Sequence, residues 1–309
     1  MINARQLEVL STVIEVGTTA RAAELLSVSQ PAVSNMIRHT EDLVGFPLFK
    51  REHGRLVPTR EALHIAQEAQ HLFMQQKRVA NIIDELRGGT IGRLNIVATP
   101  SIGHGILPRV LADFVRTRPK LQLSIELGNI EVITRLLLSG RADLGLSITG
   151  PRRSALSVRP LGQGRMMCVC PEGHELALSQ RIRITDLNHV RHISYAGSTP
   201  LGQAVDAVFS AQGLERRYFC EVRHTATALE LVRSGLGVAL VDSFALLGLG
   251  HEGTAIRPTE PELPLEMHAI TSNLFPTSNL AIQFQEFVAG YLAKDPTGAD
   301  PAAATGRTV

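Results

Sequence analysis

Polar side chains that can hydrogen bond to DNA bases recur at helical spacing early in the chain. The segment SQPAVSNMIR presents Gln30, Ser34, Asn35 and Arg38. Gln and Asn pair with adenine and Arg pairs with guanine, each contact giving about 1–3 kcal/mol of discrimination. Ser and a helix N-terminus suit phosphate oxygens. These residues, with Pro31 in the first turn, therefore predict a DNA-reading helix.

Three short helices must position that surface. In the first, apolar residues recur at spacings of three and four, at Leu7, Leu10, Val13 and Ile14. A second helix is predicted over Ala20–Leu26, and Ser29 supplies the N-cap oxygen of the third. Helix, tight turn and helix is the arrangement that places a recognition helix in the major groove. The same residues also fit a small helical bundle with a solvated polar face.

A basic turn follows these helices directly. The segment LFKREHGRLVPT carries Lys50, Arg51 and Arg55 around Gly54, which predicts a two-stranded wing that binds the DNA backbone. Thr59, immediately after the wing, is predicted both to contact DNA and to cap the next helix. The alternative is a charged hairpin without a partner, which is less consistent with its place beside the helix-turn-helix.

Residues 59–87 are predicted to form one long helix with a seam of period 3.5. The seam residues are Ile65, Ala69, Leu72, Gln76, Val79, Ile83 and Leu86. Such a seam is typical of a coiled coil, so we expect a homodimer through this helix. The alternative is that the helix packs on the second domain of its own chain. Residues 88–92 are predicted to be a hinge, and the DNA-binding domain to comprise residues 1–58.

Residues 93–294 alternate predicted strands and helices, which favours a doubly wound, parallel sheet. Two lobes are implied, with lobe I at about 93–161 and 266–294 and lobe II at about 162–265. The chain is predicted to cross between them near Leu161–Gly162 and to return near Glu262–Leu265. The Pro- and Ala-rich tail, 295–309, is predicted to be disordered.

Hydroxyl and amide side chains cluster after these strands and at the starts of the following helices. Ligands of such sheets bind at the carboxyl ends of strands, where helix N-termini favour a carboxylate. The predicted effector-binding residues are Thr99, Ser101, Ile102, Asn129, Ser198, Thr199, Thr225 and Thr227. Each polar residue taken alone is more often a plain helix cap, and together they favour a pocket for a small anionic molecule.

The first sixty residues resemble the winged helix-turn-helix of LysR-type transcriptional regulators. The resemblance is carried by AAELLSVSQPAVS, followed by ED-LVG, LF-R and PT, and the layout of the rest also matches. It implies an α+β multi-domain protein with an N-terminal winged helix-turn-helix, a long linker helix and a C-terminal two-lobed α/β periplasmic-binding-protein-like effector domain. Thr40, Pro58 and Ala62 depart from the pattern at packing positions.

The family resemblance also implies partners: promoter DNA, a small-molecule effector, and a homodimer assembled into a homotetramer. The segment EVRHTATALELVRSGLGVALVDSFAL is similar to amino-acid-responsive members, including lysine-biosynthesis-regulator-like ones. The expected effector is therefore a small molecule that is anionic or amino-acid-like. The rival function is an α/β solute-binding or enzymatic module with an accessory helical domain.

Composition narrows the remaining classes of function. A net charge of +2 over 309 residues restricts any nucleic-acid site to a local patch. The start lacks the pattern of a signal peptide, no run suits a bilayer span, and three cysteines without a metal-type spacing fit a reducing cytoplasm. Without a nucleophile elbow, phosphate loop or zinc motif, we expect no enzyme activity, no cofactor and no metal.

Overall fold

The computed structural model describes residues 1–52, 55–86, 92–151 and 153–294, and the chain divides into two compact units, Met1–Leu86 and Arg87–Val309. The elements of the first unit are α1 (Ala4–Val16), α2 (Thr19–Leu25), α3 (Gln30–Val44), β1 (Phe49–Glu52), β2 (Arg55–Pro58) and α4 (Arg60–Leu86). The predicted helix-turn-helix, two-stranded wing and long helix are therefore all present.

Capping residues explain where α1 begins and ends. Asn3 and Gln6 form a reciprocal capping box, in which each side-chain oxygen accepts the other residue's backbone N–H at 2.9 Å. Gly17 ends the helix at a φ of 74°, a left-handed conformation that favours glycine. Its apolar side, with Val9 and Val13, packs in a core shared with the small residues Ala22 and Ala23 of α2. Small residues there allow the helices to approach closely.

The turn between α2 and α3 closes through backbone hydrogen bonds. Ser27 adopts a φ of 54°, and the Val28 N–H donates to the Ala23 carbonyl at 3.0 Å. The Ser29 hydroxyl then accepts from the Ala32 N–H, as the sequence predicted for an N-cap. The recognition helix is thus set against α2 by local interactions that the sequence encodes directly.

Two side chains attach the wing to the helices. The Glu41 carboxylate of α3 accepts the backbone N–H groups of Leu48 and Phe49 at 2.7 and 3.2 Å. The Thr59 N–H donates to the Leu48 carbonyl at 2.9 Å, so the far end of the wing returns to its start. β1 and β2 pair antiparallel, with Lys50 opposite Val57. The predicted turn at Gly54 lies outside the described residues.

The second unit begins with parallel strands and their connecting helices. Its first elements are β3 (Arg93–Ala98), α5 (Pro100–His104), α6 (Ile106–Val115), β4 (Gln122–Leu127), α7 (Ile130–Leu138), β5 (Leu144–Ser147) and β6 (Leu156–Pro171). They are followed by β7 (Ile182–Arg183), β8 (His192–Tyr195), α8 (Pro200–Ala211), β9 (Cys220–Val222), α9 (Thr225–Arg233), β10 (Val238–Asp242), α10 (Ser243–Leu246), β11 (Thr254–Glu260), β12 (Pro264–Ser272) and α11 (Asn279–Lys294).

Strand order divides this unit into two lobes that share β6. The first lobe follows the order β4-β3-β5-β12-β6, and the second follows β6-β10-β8-β9 with β11 also on β6. The inner strands of each lobe are parallel, whereas β12 and β10 pair antiparallel with β6 and β12 pairs antiparallel with β5. The expectation of a purely parallel sheet is therefore wrong at the junction of the lobes, where the chain crosses twice.

The crossing point also differs from the sequence prediction. β6 pairs with β12 up to Arg165 and with β10 from Met166 onward, so the chain changes lobes there rather than at Leu161–Gly162. Gly162 instead gives room for α11, because a Cβ at this position would lie 2.8 Å from the Leu292 side chain. Gly162, predicted to lie near the crossing point, is a site of close packing within a continuous strand.

Candidate DNA interface and candidate ligand site

The two faces of α3 differ sharply in burial. Val33 and Ile37 are 1% and 8% exposed in the core of the first unit, whereas Asn35 and Arg38 are exposed and Ser34 is half-buried. The predicted base-reading side chains therefore lie on the solvent side of a helix whose other side is fixed by packing. A helix held in this way presents hydrogen-bonding groups without reorganising its backbone.

Gln30 and Pro31 occupy the exposed first turn of α3. The Gln30 amide donates to the Thr19 hydroxyl at 3.4 Å, so this side chain is directed toward the start of α2. Pro31 takes a position where its missing N–H is not needed by the helix. The hydrogen bond between Gln30 and Thr19 brings the first turns of α2 and α3 side by side.

The wing carries the predicted basic residues on both strands. Lys50 on β1 is exposed, and Arg51 and Arg55 lie on β1 and β2. The side chains of Arg51 and Arg55 lie outside the described residues. The described part of the wing places Lys50 on a strand that is tied to α3 through Glu41.

Thr59 is placed differently from the sequence prediction. It is 7% exposed, and its hydroxyl lies 3.1 Å from the carbonyl oxygens of Pro47 and Leu48 and accepts the Ala62 N–H at 3.2 Å. A hydroxyl has one proton, and here that proton is directed at carbonyl oxygens inside the protein. Thr59 therefore has no proton left to donate to a phosphate oxygen. Thr59 caps α4 and closes the wing, and we leave it out of the DNA interface.

In the second unit, the first predicted ligand residues surround a helix that the sequence did not predict. Pro100 occupies the first position of α5. This helix has only five residues, which is too short to show apolar periodicity. Thr99 precedes it, and its buried hydroxyl has no hydrogen-bond partner among the described residues. Ser101 and Ile102 are buried at 7% and 0% exposure. His104 is the exposed last residue of α5.

A buried hydrogen-bond network in the second lobe centres on the carboxylate of Asp242. The Thr225 hydroxyl donates to the Asp242 carboxylate at 3.1 Å and accepts from the Tyr195 phenol at 3.2 Å. The Ala245 N–H donates to the other carboxylate oxygen at 3.0 Å, and the Ser101 side chain of the first lobe opposes the rise in the pKa of Asp242. The network places one predicted residue, Thr225, on a carboxylate that sequence reasoning missed.

The surroundings of Asp242 change its acidity. Asp242 is fully buried, and this burial raises its pKa to about 6, although hydrogen bonds from Ala245, Thr225 and Ser101 oppose the shift. The carboxyl group is therefore mainly ionised above neutral pH. Burial likewise raises the pKa of Tyr195, so the phenol keeps its proton and remains a donor.

The remaining predicted ligand residues divide between helix caps and exposed side chains. Asn129 caps α7 by accepting the Val132 N–H at 3.0 Å. Thr199 caps α8, where it accepts the Gly202 N–H at 3.1 Å and donates to the Ala196 carbonyl at 2.7 Å. For these two residues, the cap interpretation that the sequence left open describes the structure.

Ser198 and Thr227 are exposed, at the start of α8 and in the first turn of α9. Their side chains are therefore accessible to a ligand.

Two glycines let the lobes touch through backbone alone. A Cβ at Gly105, between α5 and α6, would lie 2.3 Å from the Phe244 carbonyl oxygen. A Cβ at Gly248, just after α10, would lie 1.9 Å from the Gly105 carbonyl oxygen. Neither side chain is possible without separating the segments, because real Cβ atoms do not approach backbone atoms this closely. The lobe contact beside Asp242 is therefore as close as a polypeptide allows.

The described residues contain no group of three or more His, Cys, Asp and Glu side chains placed to hold a metal ion. Among the described helices, none is long and apolar enough to cross a membrane.

The cysteines at 168 and 170 are buried on β6 as free thiols, and burial raises the pKa of both.

Comparison with protein families assigns both units. Residues 4–63 match the bacterial regulatory helix-turn-helix family of lysR type, and residues 87–293 match the LysR substrate binding domain. The second match alone covers more than half of the chain. The chain belongs to the LysR family. It is a DNA-binding transcriptional regulator with a substrate-binding effector domain, and not an enzyme.

Curated relatives extend over nearly the whole chain. The transcriptional activator protein LysR of Escherichia coli (strain K12) is 28% identical over 97% of this chain and 96% of its own length. The octopine catabolism/uptake operon regulatory protein OccR of Rhizobium meliloti is 32% identical over 83% of this chain and 85% of its own. This LysR-family chain therefore has the length and layout of its relatives.

Solved structures show the same fold. CbnR, a LysR family transcriptional regulator, matches with a TM-score of 0.70 at 20% identity, over 95% of this chain and 100% of CbnR. Full-length CbnR complexed with its target DNA matches with a TM-score of 0.71 at 19% identity, over 94% and 100%. At this identity the likeness shows the LysR-family fold alone.

The buried acid at the end of β10 is the main residue that the sequence analysis missed. The run VALVD is buried at every position, and its last residue is a fully buried Asp. An acid that ends an otherwise apolar buried strand, directly before a helix start, is a signal of a ligand-facing strand end in α/β sheets. Only its partners, which come from distant parts of the chain, show what it does.

Proposed function

We propose that this LysR-family regulator binds promoter DNA through the outward face of α3 and the wing. The observation that carries the proposal is the burial contrast on α3, where Val33 is 1% exposed and Asn35 and Arg38 are exposed. Gln30, Pro31 and Ser34 complete the base-reading and phosphate-facing surface, and Lys50, Arg51 and Arg55 contribute positive charge. Base contacts select the sequence and phosphate contacts set the register.

A gel mobility assay with the DNA upstream of the chain's own gene tests this proposal. The wild-type protein is expected to retard one fragment specifically at moderate salt, and Ser34→Ala with Arg38→Ala to weaken that binding about 10- to 100-fold. Arg116→Ala, an exposed change in the second unit, is the matched control and is expected to leave retardation unchanged. Unchanged operator affinity in the double variant would contradict the assignment of α3 as the reader.

The long helix α4 is proposed to form the homodimer. Its 27 residues give a rod of about 40 Å, and Leu72, Val79 and Ile83 are 49%, 55% and 43% exposed along one seam. Exposed apolar residues at this spacing are suited to a second copy of the same helix. Val79→Asp is expected to reduce the assembly measured by analytical ultracentrifugation, whereas Gln76→Asp at a polar seam position has a smaller effect.

This proposal has three further parts. They are the domain division predicted from the sequence, the assembly of two dimers into a homotetramer, and a cytoplasmic location. A symmetric tetramer places two pairs of winged domains on one promoter, and the chromosomal DNA of a bacterium lies in the cytoplasm. A tetramer mass for the full chain in solution supports the assembly, whereas a monomer mass at micromolar concentration contradicts it.

The effector is proposed to bind where the two lobes meet, near Thr99, Ser101, Ile102, Ser198 and Thr225. The matched effector domain and a relative named for an octopine operon support a small organic molecule that is anionic or amino-acid-like. Asn129, Thr199 and Thr227 complete the predicted set, in which Asn129 and Thr199 also cap helices. An effector changes DNA binding only if it favours one lobe arrangement over another.

A further inference from the structure

One acidic side chain joins the recognition helix to the wing. Oε1 of Glu41, on α3, accepts the backbone N–H groups of Leu48 and Phe49 at 2.7 and 3.2 Å. Among the hydrogen bonds between residues that the structure describes, no other joins a side chain of α3 to the wing. The direction in which the wing leaves α3 therefore depends on a carboxylate that does not belong to the predicted DNA-reading set.

The carboxylate holds the wing at its most firmly packed residue. Leu48 is 0% exposed and packs with Leu10 and Ala62. Its carbonyl oxygen accepts the Thr59 N–H at 2.9 Å, which brings the end of the wing to the same point. Lys50 follows only two residues later, at most about 7 Å along the chain. A change at Leu48 is therefore carried directly to the position of the Lys50 charge.

The other contacts of the wing do not fix its direction in the same way. Phe49 and Leu56 are half-buried against the apolar core of the first unit, but apolar contacts are non-directional. In the ladder of the wing, Phe49 is opposite Pro58, which has no N–H to donate. Hydrogen bonds weaken steeply when they are misaligned, so two of them on one oxygen define an orientation.

The charge of Glu41 allows this role to be separated from simple electrostatics. A carboxylate near the DNA backbone repels the phosphates, so the removal of an acid from this region strengthens DNA binding if charge alone matters. Asp42, the next residue of α3, carries the same charge and is exposed. The two neighbouring acids therefore give opposite expectations if only Glu41 orients the wing.

We infer that Glu41 is a positioning residue of the DNA interface, which fixes the wing relative to α3 so that phosphate contacts from the wing and base contacts from α3 form in one register. The inference rests on the proposed function, because it takes α3 and the wing as the DNA-binding surface. It assigns part of the operator affinity to a residue that acts through the wing and not through a contact of its own with DNA.

Two matched substitutions, Glu41→Ala and Asp42→Ala, test the inference by fluorescence anisotropy with operator DNA. Each removes one negative charge from α3. Glu41→Ala is expected to bind about tenfold more weakly, with a slope of log affinity against log salt that falls by about two units, because the wing cations lose their phosphates. Asp42→Ala is expected to bind as tightly as wild type or more tightly. Equal affinity of the two variants with unaltered slopes overturns the inference.

Conservative and double variants separate positioning from a purely structural role. Glu41→Gln keeps an acceptor oxygen, and both hydrogen bonds end on one oxygen, so its affinity and salt slope are expected to stay close to those of wild type. Lys50→Ala in the Glu41→Ala background is expected to lower the slope by clearly less than Lys50→Ala does alone, because the misplaced lysine no longer meets a phosphate. Fully additive losses contradict a role that acts through the wing.

Folding of each variant is checked by circular dichroism at 222 nm, and the salt slope does not depend on the fraction of protein that is active. Glu41→Met keeps a long, helix-favouring side chain without a carboxylate and is expected to repeat the result of Glu41→Ala. If neither variant folds, Glu41 is required for the fold itself and the inference is wrong.

Operator binding by wild type separates this inference from the proposed function. If wild-type protein retards no DNA fragment, the proposed DNA interface fails. If wild type binds and Ser34→Ala with Arg38→Ala weakens that binding, but Glu41→Ala binds with the affinity and salt slope of wild type, only the role of Glu41 is wrong.

Discussion

In the first unit the polar side chains of α3 point away from their own core, whereas in the second unit the Thr225 hydroxyl is buried and hydrogen bonded within the protein. Asn35 and Arg38 are exposed, but Thr225 is 2% exposed and already joins Tyr195 to Asp242. A surface that binds a large polyanion needs groups free to meet it. A site that discriminates among small molecules needs groups whose donor and acceptor roles are fixed beforehand.

The largest expected effect tests how closely the lobes are held. Gly248→Ala would place a Cβ 1.9 Å from the Gly105 carbonyl oxygen, so the second unit is expected to lose about 3 kcal/mol or more of unfolding free energy. Tyrosine fluorescence during urea unfolding reports on this unit alone, because all three tyrosines lie after residue 190 and the chain has no tryptophan.

Gly290→Ala is the control for that measurement. No atom of the described residues lies within 4 Å of a Cβ at this position of α11, and alanine favours the helix by about 1 kcal/mol. The control is therefore expected to be neutral or stabilising. Equal stability of Gly248→Ala and wild type would show that the lobes are not in backbone contact.

A buried histidine in the second unit gives the next effect. His192 is fully buried, and burial lowers its pKa to about 4, against 6.5 in an unfolded chain. The unfolded chain binds a proton as pH falls below 6.5 and the folded chain does not until about pH 4. Folding stability is therefore lost between these values, by up to about 3 kcal/mol.

The pH effect is measured as the difference in unfolding free energy between His192→Gln and wild type. Both proteins contain Asp242, whose titration changes stability in the opposite direction, so its contribution cancels in the difference. The raised pKa of Asp242, about 6 against 3.8, adds stability as pH falls from 6 toward 3.8. The stability of His192→Gln minus that of wild type is expected to be more positive at pH 4.5 than at pH 7.5. His104→Gln, an exposed change, is the control, and identical pH profiles for all three proteins would contradict the prediction.

Thr59 sharpens the comparison because it lies beside the DNA-binding surface but faces inward. Thr59→Ala removes the side-chain cap of α4 and the hydroxyl contacts to the Pro47 and Leu48 carbonyls, and is expected to cost about 1–2 kcal/mol of stability in the first unit. Circular dichroism at 222 nm during heating measures this loss. Thr59→Ser keeps the hydroxyl and is expected to retain most of the stability.

The smallest effect concerns the wing. Lys50→Ala removes one exposed positive charge, so the slope of log affinity against log salt is expected to fall by about one unit with little change in sequence preference. Fluorescence anisotropy with operator and scrambled DNA measures both. A changed preference between the two sequences, with the salt slope unaltered, would show that Lys50 contacts bases rather than phosphate.

Local signals made the first unit predictable. Ser29 marked the start of α3, and apolar spacing marked the core face of α1, all within a few residues of each other in sequence. The wing was predictable because its two strands are adjacent in the chain.

Long-range pairing made the second unit less predictable. Residues 225 and 242 meet only after β9 and β10 are placed, so no short sequence window contains the donor and acceptor together. Gly162 was predicted to lie near the lobe crossing, although it is Leu292, 130 positions later, that leaves no room for a side chain there. The hydroxyls at 99, 101, 199 and 225 were identifiable as a group, but their hydrogen-bond partners were not.

One titration separates the two units most directly. Operator affinity is measured by anisotropy for wild type, Arg38→Ala and Ser101→Ala, each with and without the anionic or amino-acid-like molecule that most raises the melting temperature of wild-type protein. Arg38→Ala is expected to lose operator affinity about tenfold or more and to keep the ligand-induced thermal shift. Ser101→Ala is expected to keep operator affinity and lose the ligand's effect on it. Loss of both functions in either variant would contradict the account.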